Sequence, residues 1–173
     1  MASSSKPKGP KDRHLAEKRW KWIENQLSNS TAEYLFIAGH YPVYSTADHG
    51  PTQCLIDKLN PLMQKYNVTA YLSGHDHNLQ HLRVNLNDTL LNYVISGAGA
   101  FTDVSTANLK NVPPNSSLFS YPRSSWFNIL NNAGIGTDGG FVLVKLDSKS
   151  ANFTYFNGYK EKLYSFEAFP RFL

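Results

Sequence analysis

The sequence is short of cysteine, of charge and of long apolar runs. Cys54 is the single cysteine among 173 residues, so no disulfide within this chain can staple the fold. Charged residues make up 17% and hydrophobic residues 41%, with a mean hydropathy of −0.40. That balance is globular and excludes disordered, collagen-like and disulfide-dense classes. No window of about 18 apolar residues occurs, so no segment reads as a membrane span. No apolar stretch follows Met1, and the chain as given reads as carrying no secretory signal. The His-Glu-x-x-His pattern of helical zinc hydrolases is missing, and there are no internal repeats. The length suits one domain better than two.

The net charge of +4 is unevenly placed. Up to Lys21 there are seven basic residues against Asp12 and Glu17, while the remainder carries ten against eleven. Basic segments bind nucleic acid or anionic surfaces. This one has no aromatic residue before Trp20, so it reads as a solvated tail running into a helix, with no nucleic-acid partner. The lone cysteine suits a reducing compartment. Five Asn-x-Ser/Thr sequons, at Asn29, Asn67, Asn87, Asn115 and Asn152, lean towards secretion instead. An odd cysteine in a secreted protein suggests a partner elsewhere. The two hints agree if residues upstream of Met1 have been lost.

Residues 1–13, rich in Ser, Lys, Pro and Gly, read as a mobile basic loop or linker, followed by one folded unit over 14–173. Leu15, Trp22, Ile23 and Leu27 recur at helical spacing between charges, predicting a helix over 14–27. Trp20 and Trp22 read as packing residues. The run Tyr34 to Ala38 suits a strand buried on both faces. A second helix follows Gly50-Pro51-Thr52, with Pro61 expected to kink or split it. Strands are predicted over 68–73 and 90–95, which makes α/β order. The stretch 101–140 reads as a long irregular excursion, and 141–146, 152–156 and 163–169 as antiparallel strands. One helix–strand–helix–strand run is too little to cover both faces of the early strands. They therefore read as part of a sheet, completed elsewhere or exposing an apolar edge.

Three strands end alike, in Gly39-His40-Tyr41-Pro42, Gly74-His75-Asp76-His77 and Gly97-Ala98-Gly99. Ligands of open α/β sheets bind beyond the carboxyl ends of strands, where glycine lets the backbone turn closely. Neutral imidazole is a common ligand for mid-row metals, and histidines past two strand ends can converge on one point. His-x-His alone also fits a pair of surface histidines; the third histidine, at the preceding strand end, favours a metal site at His40, His75 and His77. Asp76 between them reads either as a ligand or as an acceptor that fixes an imidazole tautomer. His49, in Asp48-His49-Gly50-Pro51, reads as a group for a phosphate oxygen or a leaving group, or as an exposed loop residue. Tyr41 suits packing or pocket lining. His14 and His81 read as surface or cap residues.

Together, Gly39-His40-Tyr41-Pro42, Asp48-His49-Gly50-Pro51-Thr52, Gly74-His75-Asp76-His77-Asn78-Leu79-Gln80 and Ser96-Gly97-Ala98-Gly99 resemble the purple acid phosphatases, in the small tartrate-resistant animal type of the calcineurin-like metallophosphoesterases. The likeness runs from about Pro7 to near the C-terminus and is looser over 101–132.

The resemblance implies the C-terminal half of a four-layer αββα sandwich with mixed sheets. It implies phosphate monoester hydrolysis by a metal-bound hydroxide at a dinuclear centre, Fe(III) plus a divalent ion (Fe, Zn or Mn). By the same likeness His40 and His75 are ligands of the divalent ion, His77 is a ligand of the ferric ion, and His49 contacts the substrate phosphate. Ala100 departs from the family, whose mammalian members place Asn there. The Gly-Asp, Gly-Asp-Asn-x-x-Tyr and Gly-Asn-His motifs that supply the remaining ligands do not occur. The expectation is therefore a fragment holding three of seven protein ligands and inactive alone, since three neutral imidazoles bring no negative charge to about +5 of metal. The alternative is a truncated, inactive paralogue or binding protein of the same fold. Its expected partner is the missing N-terminal half, with a disulfide from Cys54, and the full-length protein is expected to be a secreted or lysosomal glycoprotein.

Overall fold

The computed structural model describes residues 12–100, 102–122 and 139–171. The basic opening segment and 123–138 of the predicted excursion lie outside them. Asp12 caps the first helix, α1 (Arg13–Ser28), by accepting from the Leu15 N–H at 2.9 Å. Leu27 is buried on its inner face, with Trp20 and Ile23 packed beside it. Trp22 is 63% exposed, so the expected packing role fails there: two residues from Trp20 on a helix is the far side. The second helix, α2 (Gln53–Lys65), runs continuously through Pro61. One lost backbone donor does not split it, because Leu59 and Met63 anchor it in the core on either side.

The strands are β1 (Phe36–Ala38), β2 (Ala70–Ser73), β3 (Leu79–Leu86), β4 (Thr89–Ser96), β5 (Ser117–Tyr121), β6 (Gly140–Leu146), β7 (Ala151–Asn157) and β8 (Lys162–Ala168). They form a five-stranded sheet ordered β1-β2-β4-β3-β5 and a three-stranded sheet ordered β6-β7-β8. β1, β2 and β4 are parallel, with Phe36 beside Ala70 and Ala70 beside Asn92. β3 runs antiparallel to both β4 and β5, and the three-stranded sheet is antiparallel throughout. The architecture is mixed α/β, as expected for the C-terminal half of the sandwich.

Two apolar layers hold it together. Leu27, Leu59, Met63, Tyr71, Leu91 and Tyr93 pack the helices onto one face of the larger sheet. Leu79, Val94, Phe119, Phe153, Tyr155 and Phe166 fill the space between the two sheets. β2, β3 and β4 are thus covered on both faces by this chain's own elements, whereas β1 is an open edge strand with Phe36 and Ile37 half-buried and Ala38 exposed, so the expectation that it is buried on both faces fails. The apolar face in solvent belongs to the smaller sheet, where Phe141 is 44% and Leu143 40% exposed on its outer side. The expected irregular excursion is also corrected in part, because β5 lies within it and pairs with β3.

His81 overturns another expectation. It is fully buried, with its ring stacked on Phe166 at 3.7 Å between centroids. Nε2 lies 3.2 Å from the Asn92 carboxamide oxygen and Nδ1 2.9 Å from the Tyr164 hydroxyl. Asn92 Oδ1 also accepts from Arg83 Nε, so the satisfied arrangement is a neutral ring donating from Nε2 and accepting at Nδ1. Burial pushes its pKa down to about 4.

Candidate active site

The predicted histidines lie in the loops that leave β1 and β2. The His40 carbonyl accepts the Gly74 N–H at 3.2 Å, and the Leu72 carbonyl accepts the Gly39 N–H at 3.0 Å, which stitches the two loops together. His75 sits in the left-handed region, at φ 63, a conformation that non-glycine residues hold only when their surroundings impose it. At the end of β4, a Cβ on Gly97 would lie 2.0 Å from the Asp76 carbonyl oxygen. Only glycine lets β4 approach the 74–78 loop so closely.

His40 and His75 meet, with Nε2 of one 3.0 Å from Nδ1 of the other and ring centroids 4.9 Å apart. The Tyr41 ring lies 4.4 Å from His75, which makes Tyr41 a wall of the same site. His49 closes on His75 from a third direction, at 4.2 Å between centroids. Burial, then the neighbouring His49 and His40 rings, hold His75 below the ordinary imidazole range. That favours the neutral form, which has a lone pair to offer a cation.

Asp76 is wholly buried and bonds to His49, not to the ring pair. Its Oδ1 lies 2.6 Å from His49 Nδ1 and accepts the His49 backbone N–H at 3.2 Å. Its Oδ2 is a buried oxygen with no partner among the described residues. Of the two roles open to Asp76 from sequence, the acceptor role is the one seen, and the imidazole it orients is His49. The carboxylate places the proton on Nδ1 and leaves Nε2 for another group.

Residues without an assigned role hold the His49 loop. Gln80, fully buried, accepts from the Thr46 N–H at 3.0 Å and the Thr46 hydroxyl at 2.9 Å. It donates to Ser45 Oγ and Asn78 Oδ1, each at 2.9 Å. Asn108 donates to the Ala47 carbonyl at 2.6 Å and the Asp48 carbonyl at 3.2 Å, and the Ser105 hydroxyl donates to Asp48 Oδ1. The Asp103 N–H reaches the His77 carbonyl at 2.7 Å. Burial, reinforced by Asp48 and Asp76, pushes the Asp103 carboxyl above its ordinary range. Residues 102–111 thus strap the His49 loop to the 74–78 loop. Gln80 stands inside a motif visible in the sequence; the strap carries no such signal.

His77 lies near enough to His75 to contribute to its lowered pKa, but among the described residues no three His, Cys, Asp or Glu side chains gather into a group that could hold a metal ion. The His40–His75 pair fits as part of an ion's donor set and falls short of a complete one, since all its donors are neutral. Cys54 is exposed near the start of α2. His14 is exposed, as expected.

Comparison with known proteins decides the family. Residues 4–79 match the calcineurin-like phosphoesterase family. Over 164 residues, 93% of this chain, the sequence is 40% identical to tartrate-resistant acid phosphatase type 5 of Homo sapiens, of which it spans 45%. The chain belongs to the calcineurin-like phosphoesterases. Two solved structures share its fold. GAP50, described as the anchor in the inner membrane complex of Plasmodium, superposes with a TM-score of 0.74 over 95% of this chain and 46% of its own, at 22% identity. Purple acid phosphatase PPD1 from yellow lupin seeds superposes with a TM-score of 0.60 over 92% of this chain and 28% of its own, at 19% identity. This phosphoesterase chain therefore spans under half the length of the relatives it matches. Among its described residues no helix is long and apolar enough to cross a membrane.

Proposed function

We propose that this chain supplies the histidine-bearing half of an acid phosphatase site that hydrolyses phosphate monoesters. The observation that carries the reading is the meeting of His40, His75 and His49 from two strand-end loops, with His49 held by a buried carboxylate. His40 and His75 would contribute to one metal position, and His77, two residues on, to a second. Fe(III) with a divalent ion (Fe, Zn or Mn), when bound, would supply Lewis acidity and charge for the phosphoryl group. The carboxylates such a pair needs would come from an N-terminal half of the same domain, with Cys54 available for a disulfide to it. Residues 1–13 would form the exposed basic linker between the halves. The full-length protein would be secreted or lysosomal.

His49 works through its Nε2. With Nδ1–H donated to Asp76, a doubly protonated ring directs Nε2–H at a phosphoryl oxygen or at the oxygen of the departing alcohol. The Gln80 and Asn108 bonds hold that loop rigid, so His49 spends little ordering entropy when substrate arrives. Tyr41 beside His75 would line the leaving-group side.

A second reading is an inactive paralogue or binding protein of the same fold, favoured by the lack of a three-donor cluster among the described residues. One experiment separates the two. The chain is assayed on para-nitrophenyl phosphate at acid pH with iron and zinc added, alone and combined with the N-terminal half of the human type 5 relative. We expect no turnover alone and turnover on combination, lost in His49→Ala by a factor of about 100 or more. Robust turnover by the lone chain would refute the donor count, and none on combination would favour the inactive paralogue.

A further inference from the structure

The five sequons are scattered along the sequence but gathered in space. Asn67 ends α2 in the left-handed region, at φ 48, and Asn87 occupies the two-residue turn between β3 and β4, at φ 46. Asn115, at φ 60, precedes Ser116, whose carbonyl accepts the Arg83 N–H at 2.8 Å. Arg83, Asn67, Leu90 and Glu167 line one cleft. Glu167 is the register partner of Asn152. Arg171 joins the last sequon, its guanidinium donating to the carbonyl of Ser30, beside Asn29, at 2.8 Å and to that of Tyr66, beside Asn67, at 2.9 Å. Asn29, Asn67 and Asn87 thus lie where β1, β2 and β4 begin, and Asn115 and Asn152 adjoin the same cleft through Arg83 and Glu167. His40, His49 and His75 lie where those strands end.

The side chains differ in what they are doing there. Asn29 donates its amide to Asn25, and Asn152, half-buried on the outer face of the smaller sheet, donates to Ser150 Oγ. Asn67, Asn87 and Asn115 are exposed, and their amides make no hydrogen bond among the described residues. Left-handed backbone explains why asparagine suits those three positions. It does not explain Thr89 and Ser117 two residues further on; Thr69 has a second task, its buried hydroxyl accepting the Leu35 N–H at 3.0 Å. Two large apolar side chains stand in solvent in the same cleft, Leu90 at 57% and Phe169 at 64% exposure, a surface that a bulky hydrophilic group would screen.

We propose that Asn67, Asn87 and Asn115 each take an N-linked oligosaccharide, so that glycans cover the pole opposite the histidine loops and leave the site end bare. The donor is a lipid-diphosphate-linked oligosaccharide. Asn Nδ2 bonds to the anomeric carbon, the bond from that carbon to the diphosphate oxygen breaks, Nδ2 gives up one proton, and the lipid diphosphate leaves. The inference rests on the secreted or lysosomal reading, because that donor is met only along the secretory route.

The test expresses the full chain behind a cleavable secretory leader in cultured animal cells. Recovered protein is treated with peptide N-glycosidase in heavy-oxygen water and mapped by mass spectrometry. We expect heavy Asp at positions 67, 87 and 115, and one step lost from the gel-mobility ladder in each of Asn67→Gln, Asn87→Gln and Asn115→Gln. Unmodified peptides at these positions, in chain whose leader has been cleaved, overturn the proposal. Transfer acts on the nascent chain, so a variant that folds poorly still reports occupancy. The phosphatase reading is judged separately by turnover with the relative's N-terminal half, and glycans on a chain that never turns over would sink that reading alone.

Discussion

Acid should loosen this fold through one buried ring. His81 is neutral in the folded chain, where its pKa is about 4, and has the ordinary value near 6.5 when unfolded. Above that value neither state binds the proton and the His81 contacts contribute in full. As pH falls below it the unfolded chain takes up a proton that the folded chain refuses, so stability drops until the folded pKa is passed. The gap between the two values corresponds to about 3 kcal/mol in all, with about 2 lost by roughly pH 5. Urea unfolding of the chain and of His81→Gln across that range isolates the effect, since other titrating groups cancel in the difference. The gap between the two proteins should narrow by roughly the same 2 kcal/mol between about pH 7 and pH 5. NMR titration should place the imidazole midpoint far below the free value. Parallel stability curves, together with an imidazole titrating near 6.5, would refute the account of a sealed neutral ring.

Asp76→Asn should cut turnover of the reconstituted phosphatase by about tenfold or more with little change in KM, because the ring of His49 loses its anchor. The His49 Nδ1 proton signal should shift in the same variant, and Asp76→Glu should recover part of the rate. Gln80→Leu leaves Thr46, Ser45 and Asn78 without their shared partner; we expect about 2–3 kcal/mol of destabilisation by chemical denaturation. Phe141→Ser with Leu143→Ser should reduce self-association in sedimentation, because those side chains supply the apolar face in solvent. Unchanged association would move the adhesive surface elsewhere.

Much of the framework could be read from residue order. Both helices, the three parallel strands and the three late strands follow from apolar spacing, and the glycine-histidine pairs marked where two of those strands end. β3 escaped because Gln80 and His81 are polar near the start of the strand, in the stretch buried on both faces. Polar side chains with every partner supplied can sit where periodicity expects apolar ones, and sequence does not show the partners. β5 was hidden by its setting among Pro, Asn and Gly, and its pairing depends on a strand that was itself unseen. The covering of the larger sheet by the smaller one is a long-range fact that no local pattern encodes. At the site, His40, His75 and His77 were legible as a set; His40 and His75 meet, but the third ring that closes on them is that of His49, whose bond to Asp76 spans 27 residues and depends on loop shape.

Arg171 gives the far end of the chain a share in how the beginning is held. Its backbone N–H reaches the Glu33 carbonyl at 2.8 Å, and its guanidinium reaches the carbonyls of Ser30, Ala32 and Tyr66. A single side chain therefore clasps the turn after α1 to the exit of α2. Replacing Arg171 by alanine would release the turn after α1 from the exit of α2, although the change lies outside either helix. Helix packing at this corner is therefore set by a residue more than 100 positions away in sequence from either helix's end.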